Sequence, residues 1–447
     1  MIPAARFFWI AGLATLLLAV GVISQTAFFA ALTVDALLLA VTLLDGLRAR
    51  RWSVEVEREW PAVLTQRHPD ETDASRQEQN LSLRVRNASA RSLRFRLRES
   101  LHPSLAVAPF EATGDLSPHH EQEIVVPLHP LARGVCETGP TLLRVLGPWR
   151  LCWAQLRAAD REPVRVFPRV RWGGKVGQLL TLAQRRELGN VALQKQGLGG
   201  ELYSLRHYLP GDARNRIHWR ASARRGHLVT REDSWERGTP LVVLLDCGRA
   251  LSTRADGLAK LDHSLAACLA LTRLASGRGD RVTIVAFSDR ILRRVSVRPG
   301  AAGIARAYEE LYDLEPEPVE SLFELAADAV LQLRQGRSTV LFLTSVVDLA
   351  IAETLTASLA TLRRRHQAML LLLEDATIRE LAESLPSSRA EAFAQVASLE
   401  ILLRNRELAT RLRKQGTPAV SAPADRLALE TLETYLELMS PGTLRAG

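Results

Sequence analysis

Three hydrophobic patterns follow one another along the chain. Residues Phe7 to Ile23 are apolar throughout, and Ala27 to Leu44 nearly so. Each stretch is close to the ~20 residues that a bilayer core requires. Only Ser24, Gln25 and Thr26 separate them, which predicts a tight transmembrane helical hairpin. From Trp52 to about Arg171 the period becomes two. SVEVE, LSLRVR, LRFRLR, EIVVPL and VRVFP alternate apolar and polar residues as half-buried strands do. Several such strands, punctuated by Pro, Gly, Asn and Ser, predict a small antiparallel β-sandwich. From Leu241 the pattern changes again, to short unbroken apolar runs such as Leu241–Leu245, Ser338–Thr344 and Gln367–Leu373. Runs of this kind are strands buried on both faces of a parallel sheet. Further strands are expected at Arg281–Phe287, Leu292–Val297 and Pro418–Ser421. Helices are expected at Gly257–Ser276, Ala301–Asp313, Ser321–Gln335, Glu391–Lys414 and Ala424–Met439. Strands alternating with helices predict a doubly wound α/β domain.

The expected organisation is therefore multi-domain. It has a two-helix membrane anchor over 1–50, an all-β sandwich-like domain over 51–171, a linker over 172–198, an arginine-rich segment over 199–240 and an α/β domain over 241–447. Arg6 precedes the first apolar stretch, Arg48, Arg50 and Arg51 follow the second, and the turn between them has no cation. The positive-inside rule then puts both termini and the large domains in the cytoplasm, at the plasma (inner) membrane. A signal peptide is the alternative for the first stretch. The absence of a clear A-x-A site and the immediate second stretch argue against it. Asp35 falls in mid-span, where a carboxylate is costly. It serves either a helix–helix contact or a short hairpin with a local water defect.

The chain has 447 residues and a net charge of +9, carried mostly by arginine. That favours an acidic partner, whether anionic lipid, nucleic acid or an acidic protein face. The four cysteines, Cys136, Cys152, Cys247 and Cys268, have no C-x-x-C spacing, so no zinc site and no disulfide are expected.

Most of the candidate chemistry lies between Gly199 and Asp246. Arg206, Arg214, Arg216, Arg220, Arg224, Arg225 and Arg231 crowd this stretch, with His207, His218 and His227. Asp246 ends the first buried strand, at the carboxyl edge where open α/β sheets place ligand sites. The spacing G-x-E-x-x-x-L-R-x-Y-x-P-G-D-x-x-R-x-I-x-W-x-x-S-A-R from Gly199 to Arg224 resembles the signature of the prokaryotic domain of unknown function 58 family. The segment RGVCETGPTLLRVLGPWRLCW is similar to that family's R-G-x-Y-x-x-G-P hairpin. Leu146-Gly147-Pro148-Trp149 stands where the family continues into D-P-L-G, so the acid of that turn is missing. The resemblance implies a von Willebrand factor A-like (vWA-like) fold for the α/β domain and a MoxR-type AAA+ ATPase as partner in assembling or maturing other proteins.

A vWA domain binds magnesium through a D-x-S-x-S loop, a threonine and a later aspartate, because that ion takes oxygen ligands only. This chain reads Asp246-Cys247-Gly248-Arg249-Ala250, so both serine hydroxyls are gone, and Ser345 follows Thr344 in the later loop. The expectation is a degenerate metal loop without metal or other cofactor, with Asp246 satisfied by Arg249 or by backbone amides.

Ser222, the histidines and Asp212 permit a hydrolase triad on paper. No G-x-S-x-G elbow surrounds a serine, however, and no G-x-x-x-x-G-K-[ST] loop is present, so no enzymatic activity is expected. Pro210-Gly211-Asp212 reads as a tight turn, and Trp219 as the anchor of a buried face. Arg206, Arg216, Arg220 and Arg224 then either pair with Glu201, Asp212, Glu232 and Asp233 to lock two domains, or face outward to dock an acidic partner. The leading expectation is a membrane-anchored interaction module. A cationic surface for nucleic acid or anionic lipid is the alternative. Helix-turn-helix and RNP motifs are absent, so nucleic acid is not the expected partner.

Overall fold

The computed structural model describes all residues except 22–24, 68–78, 106–108, 171–173, 182–203, 209–216, 233–239, 334–335, 347–348 and 440–447. The chain forms two compact units, Met1–Phe167 and Pro168–Gly447.

In the first unit, β1 (Ile2–Pro3) leads into helices α1 (Ala5–Gly21) and α2 (Gln25–Arg50). The two helices lie against each other. Within α2, Phe28–Arg50 is long and apolar enough to cross a membrane. Strands β2 (Val54–Glu59), β3 (Leu64–Thr65), β4 (Asn80–Asn87), β5 (Leu93–Glu99), β6 (Phe110–Leu116), β7 (Glu121–Pro127), β8 (Gly134–Glu137), β9 (Thr141–Leu146), β10 (Cys152–Ala159) and β11 (Pro163–Phe167) follow. They form sheets of order β1-β10-β9-β5-β6, β2-β4-β7 and β3-β11-β8 around one core that includes Leu83, Phe95, Val126, Val145 and Val166. The period-two pattern is the cause: in β5, Leu93, Phe95 and Leu97 are buried while Arg94, Arg96 and Arg98 face out. Buried polar groups in this core are paired. Arg58 bonds Glu99 at 2.5 Å and also donates to the Gly139 and Asp160 carbonyls, each at 2.7 Å. Burial pushes the Glu99 carboxyl above its ordinary range, opposed by Thr141 and Arg58. Asn87, in a glycosylation sequon by spelling, is buried and donates to the Ser117 carbonyl at 3.0 Å.

The inner end of α2 is fastened to this unit. Asp45 is fully buried, and its carboxylate accepts the backbone N–H groups of Trp149 (2.8 Å), Leu151 (2.9 Å) and Cys152 (3.1 Å). It thus fills the β9–β10 turn, whose residues 147–151 include no acid. Gly147 has no room for a Cβ because the Asp45 carboxyl lies against it. Arg48 stacks over Trp149 at 4.6 Å. On the same hairpin, Ile2 and Pro3 pair with Trp153 and Cys152.

In the second unit, residues 174–181 are helical and Leu180 packs into the core. The antiparallel pair β12 (Ser204–His207) and β13 (Val229–Glu232) brackets helix α3 (Trp219–Arg225). The main sheet has β14 (Leu241–Asp246), β17 (Val282–Phe287), β18 (Ile291–Val297), β19 (Thr339–Thr344), β20 (Gln367–Leu373) and β21 (Ala419–Ala422), in the order β18-β17-β14-β19-β20-β21. A two-strand ribbon, β15 (Arg254–Ala255) with β16 (Leu258–Ala259), precedes α4 (Lys260–Gly277). Helices α5 (Ala301–Leu311), α6 (Phe323–Leu331), α7 (Leu349–Arg363), α8 (Ala376–Glu383), α9 (Arg389–Lys414) and α10 (Leu427–Leu438) complete the unit. Val243 and Leu245 pack on one side with α4, α5 and α10, while Val242 and Leu244 pack on the other with α6, α7 and α9. Both sheet faces are covered, which is why the strands read as unbroken apolar runs.

The parallel sheet expected from the apolar runs has one antiparallel strand at its edge. β18 runs antiparallel to β17. The connection between them is only residues 288–290, too short for the crossover that a parallel neighbour requires.

Candidate functional site at the carboxyl edge of the sheet

The loops after β14, β17, α5 and β19 meet at the carboxyl edge. The segment after α5 folds over it through backbone bonds. Glu317 donates its N–H to the Cys247 carbonyl (2.7 Å), Arg249 to Val319 (2.8 Å) and Leu322 to Ser288 (2.9 Å). These bonds bring Ser321 beside Asp246, while β19, paired in parallel with β14, brings Thr344 from the other side.

Asp246 is 2% exposed. One carboxylate oxygen accepts the Ser321 hydroxyl and the Gly248 N–H (2.8 Å), and the other accepts the Thr344 hydroxyl at 2.5 Å. Burial pushes its pKa up, and the three donors pull against that shift. The expected partner Arg249 is not among them. It pairs with Glu320 at the exposed rim, because its backbone is held by Val319 and its side chain leaves the pocket. Of the two expected partners for Asp246, the backbone amide is present, as Gly248. The Ser321 hydroxyl had no signal in the sequence, since it lies 75 residues away in a loop.

The donor set does not fit magnesium. Positions 248 and 250 offer no side-chain oxygen. A Cβ at Gly248 would run into Ser321 Oγ and lie 2.9 Å from the Val319 carbonyl, so that position is closed by packing. Both remaining hydroxyls point their protons into Asp246, and the Ser345 hydroxyl donates to the Leu373 carbonyl at 3.0 Å. The two neutral hydroxyl ligands that a vWA loop supplies at positions 248 and 250 are therefore missing, and among the described residues no cluster of acids, histidines or cysteines replaces them. Nearby, buried Lys260 pairs with Asp375, which also caps α8 through the Thr377 N–H at 2.9 Å. This ion pair joins the start of α4 to the start of α8, and the sequence had not singled it out.

The arginine-rich signature is only partly described. Asp212 and Arg216, with Arg214 and Glu201, lie outside the described residues. Arg206 is in β12, opposite Thr230. Ser222 is buried in α3. Its hydroxyl donates to the His218 carbonyl at 3.0 Å and accepts the Val229 N–H at 2.9 Å, fastening the helix to β13. His218 instead caps α3, its ring nitrogen accepting the Ala221 N–H at 3.1 Å. The serine hydroxyl is therefore bonded to backbone and not aimed at an imidazole. Trp219 does not anchor a buried face: it is 66% exposed, and Arg220 and Arg224 are exposed beside it. The reason is local, since Ser222 and Ile217 take the inward positions of this short element. All four cysteines are buried and free, and burial pushes the Cys268 thiol up to about 12.

Residues 204–412 match the family described as Protein of unknown function DUF58. No curated protein matches the chain. Among solved structures, the chain is similar to the conserved hypothetical protein BatB from Bacteroides thetaiotaomicron, at 11% identity and TM-score 0.27, over 44% of this chain and 100% of that one. It is also similar to the SpRpn10 VWA domain, at 10% identity and TM-score 0.27, over 45% and 95%. A FixG-related protein from Vibrio parahaemolyticus is similar at 10% identity and TM-score 0.16, over 25% and 95%. The α/β architecture itself rests on the strand order and register given above.

Proposed function

We propose that this chain, a member of the DUF58 family through residues 204–412, is a membrane-anchored vWA-like interaction protein without enzymatic activity. It acts with a MoxR-type AAA+ ATPase in assembling or maturing other proteins. The observation that carries the anchor is the exposed apolar surface of α1 and α2: Trp9 is 82% exposed, Leu16 65% and Leu37 66%. Surface of this extent on soluble proteins is rare, and lipid covers it at no cost. A two-pass hairpin is supported by the β9–β10 hairpin, which holds Ile2–Pro3 before α1 and Asp45 at the end of α2. Both helix ends are thus held at one side. The arginines at those ends favour the cytoplasmic face.

The α/β unit then serves recognition. Its carboxyl-edge pocket is closed by hydrogen bonds, and exposed Trp219, Arg220 and Arg224 favour the outward docking face over the domain lock. Aromatic and arginine side chains together are typical anchors of protein interfaces, and their charge selects an acidic protein partner. The test is capture of the full chain, in mild detergent, with the AAA+ ATPases of its cell under each nucleotide state. Association lost in Trp219→Ala together with Arg220→Ala is the expected result. No association in any state would remove the ATPase reading.

A further inference from the structure

A cleft of about 360 Å³ opens between the β5–β6 edge and the β9–β10 turn, lined by Trp52, Ser92, Arg94, Asp115, Ser117 and Arg150, among others. Its size lies within the ~300–1,000 Å³ range of small-ligand sites. Three observations make it cationic and place it at the end of α2. First, Arg94 is matched by Asp115 through two bonds of 2.7 and 2.8 Å, so this pair is electrically closed. Arg150 has no ion-pair partner among the described residues, and its charge is felt at Asp115, whose carboxyl is held below its ordinary range chiefly by Arg94 and also by Arg150. Second, Arg150 sits at φ 61, a left-handed backbone that a branched or long side chain seldom adopts. The turn whose inner N–H groups are taken by Asp45 holds it there. Third, the cleft wall belongs to the same turn that receives Asp45, and Trp149 in that turn stacks under Arg48. Trp52 follows α2 directly, after Arg48, Arg50 and Arg51. Tryptophan and arginine at the end of an apolar helix mark headgroup depth.

We propose that this cleft binds the phosphate of an anionic lipid headgroup, with the Arg150 guanidinium as the forked donor. Two equivalent N–H groups match two phosphate oxygens, and the exposed Ser92 and Ser117 hydroxyls line the same space. A basic pocket beside a membrane helix is where headgroup selectivity arises. The inference rests on the anchor reading above, because only a chain held at the bilayer presents the cleft at headgroup depth.

The experiment uses the full chain in nanodiscs of phosphatidylcholine with and without phosphatidylglycerol, with retained lipids counted by native mass spectrometry. The wild type is expected to retain phosphatidylglycerol in preference to phosphatidylcholine. Arg150→Gly, which relieves the left-handed backbone, is expected to lower that retention about five-fold, the order of one arginine at an anionic surface. Arg150→Asn, also tolerated at this φ, is the second variant and should do the same. Arg165→Gln, on β11, removes the same charge elsewhere and should change nothing. Unchanged retention in both Arg150 variants, or equal loss in Arg165→Gln, would overturn the site. Displacement by millimolar inorganic phosphate as readily as by lipid would assign the cleft to a soluble phosphate and overturn the lipid assignment. Failure of the chain to enter nanodiscs at all would remove the anchor reading, and this one with it.

Discussion

Asp45 and Asp246 are both buried carboxylates at the rim of a sheet, but their donors differ in kind. Asp45 accepts three backbone N–H groups from one turn. Asp246 accepts one backbone N–H and two side-chain hydroxyls from separate loops. A backbone N–H can only donate, and its direction is fixed by the chain. A hydroxyl rotates, and it accepts as well as donates. The first arrangement is a rigid join between a helix and a β-hairpin. The second is a set of partners that can rearrange around a changed group. The difference separates a structural fastening from a pocket assembled by converging loops.

Changing each carboxylate to its amide should expose that difference most strongly. In Asp45→Asn the amide NH2 group faces N–H donors that cannot turn away, so a loss of about 3 kcal/mol is expected for the first unit. In Asp246→Asn the amide nitrogen can face Thr344, whose hydroxyl turns to accept, and the loss should be nearer about 1 kcal/mol. Denaturant unfolding of the full chain in detergent measures both. Equal losses would erase the distinction.

Gly248→Ser probes the loop after β14 and falls between those two. Its Cβ meets Ser321 and the Val319 carbonyl, so the hydroxyl that a magnesium loop needs should cost about 2 kcal/mol. Magnesium should not raise the unfolding temperature of this variant. A magnesium-dependent rise would mean that the pocket can still assemble an oxygen shell.

A further effect is on pH dependence. The folded pKa of Asp246 is raised by burial, so its protonated form is the one that folding favours. Its contribution is fully present below the unfolded value of about 3.9 and is lost as pH rises through the folded value. The stability of the wild type relative to Asp246→Asn should therefore fall as pH rises from about 4. A relative stability that rises over that window would mean that the hydroxyl and amide donors outweigh burial.

Much of the fold was legible in local pattern. Leu241–Asp246 and Gln367–Leu373 read as doubly buried strands because both sheet faces are covered, and β5 read as half-buried because one face meets water. The antiparallel β18 was hidden because its apolar pattern carries no direction, and only the short 288–290 connection sets it. The site was less legible. Asp246 was marked by its place at a strand end, but Arg249 looked like its partner through proximity in sequence, whereas Ser321 arrives through loop packing. Asp45 had no signal in the sequence. Its role depends on a turn more than a hundred residues later, which lacks an acid of its own.

By itself, then, the sequence determined the elements, their burial and the family signature, because alternation and unbroken apolar runs are read within a few residues. Tertiary structure decided which donor satisfies each buried charge. That choice depends on which loops converge at one point, and hydrogen bonds reach only about 3 Å once the chain has brought distant segments together.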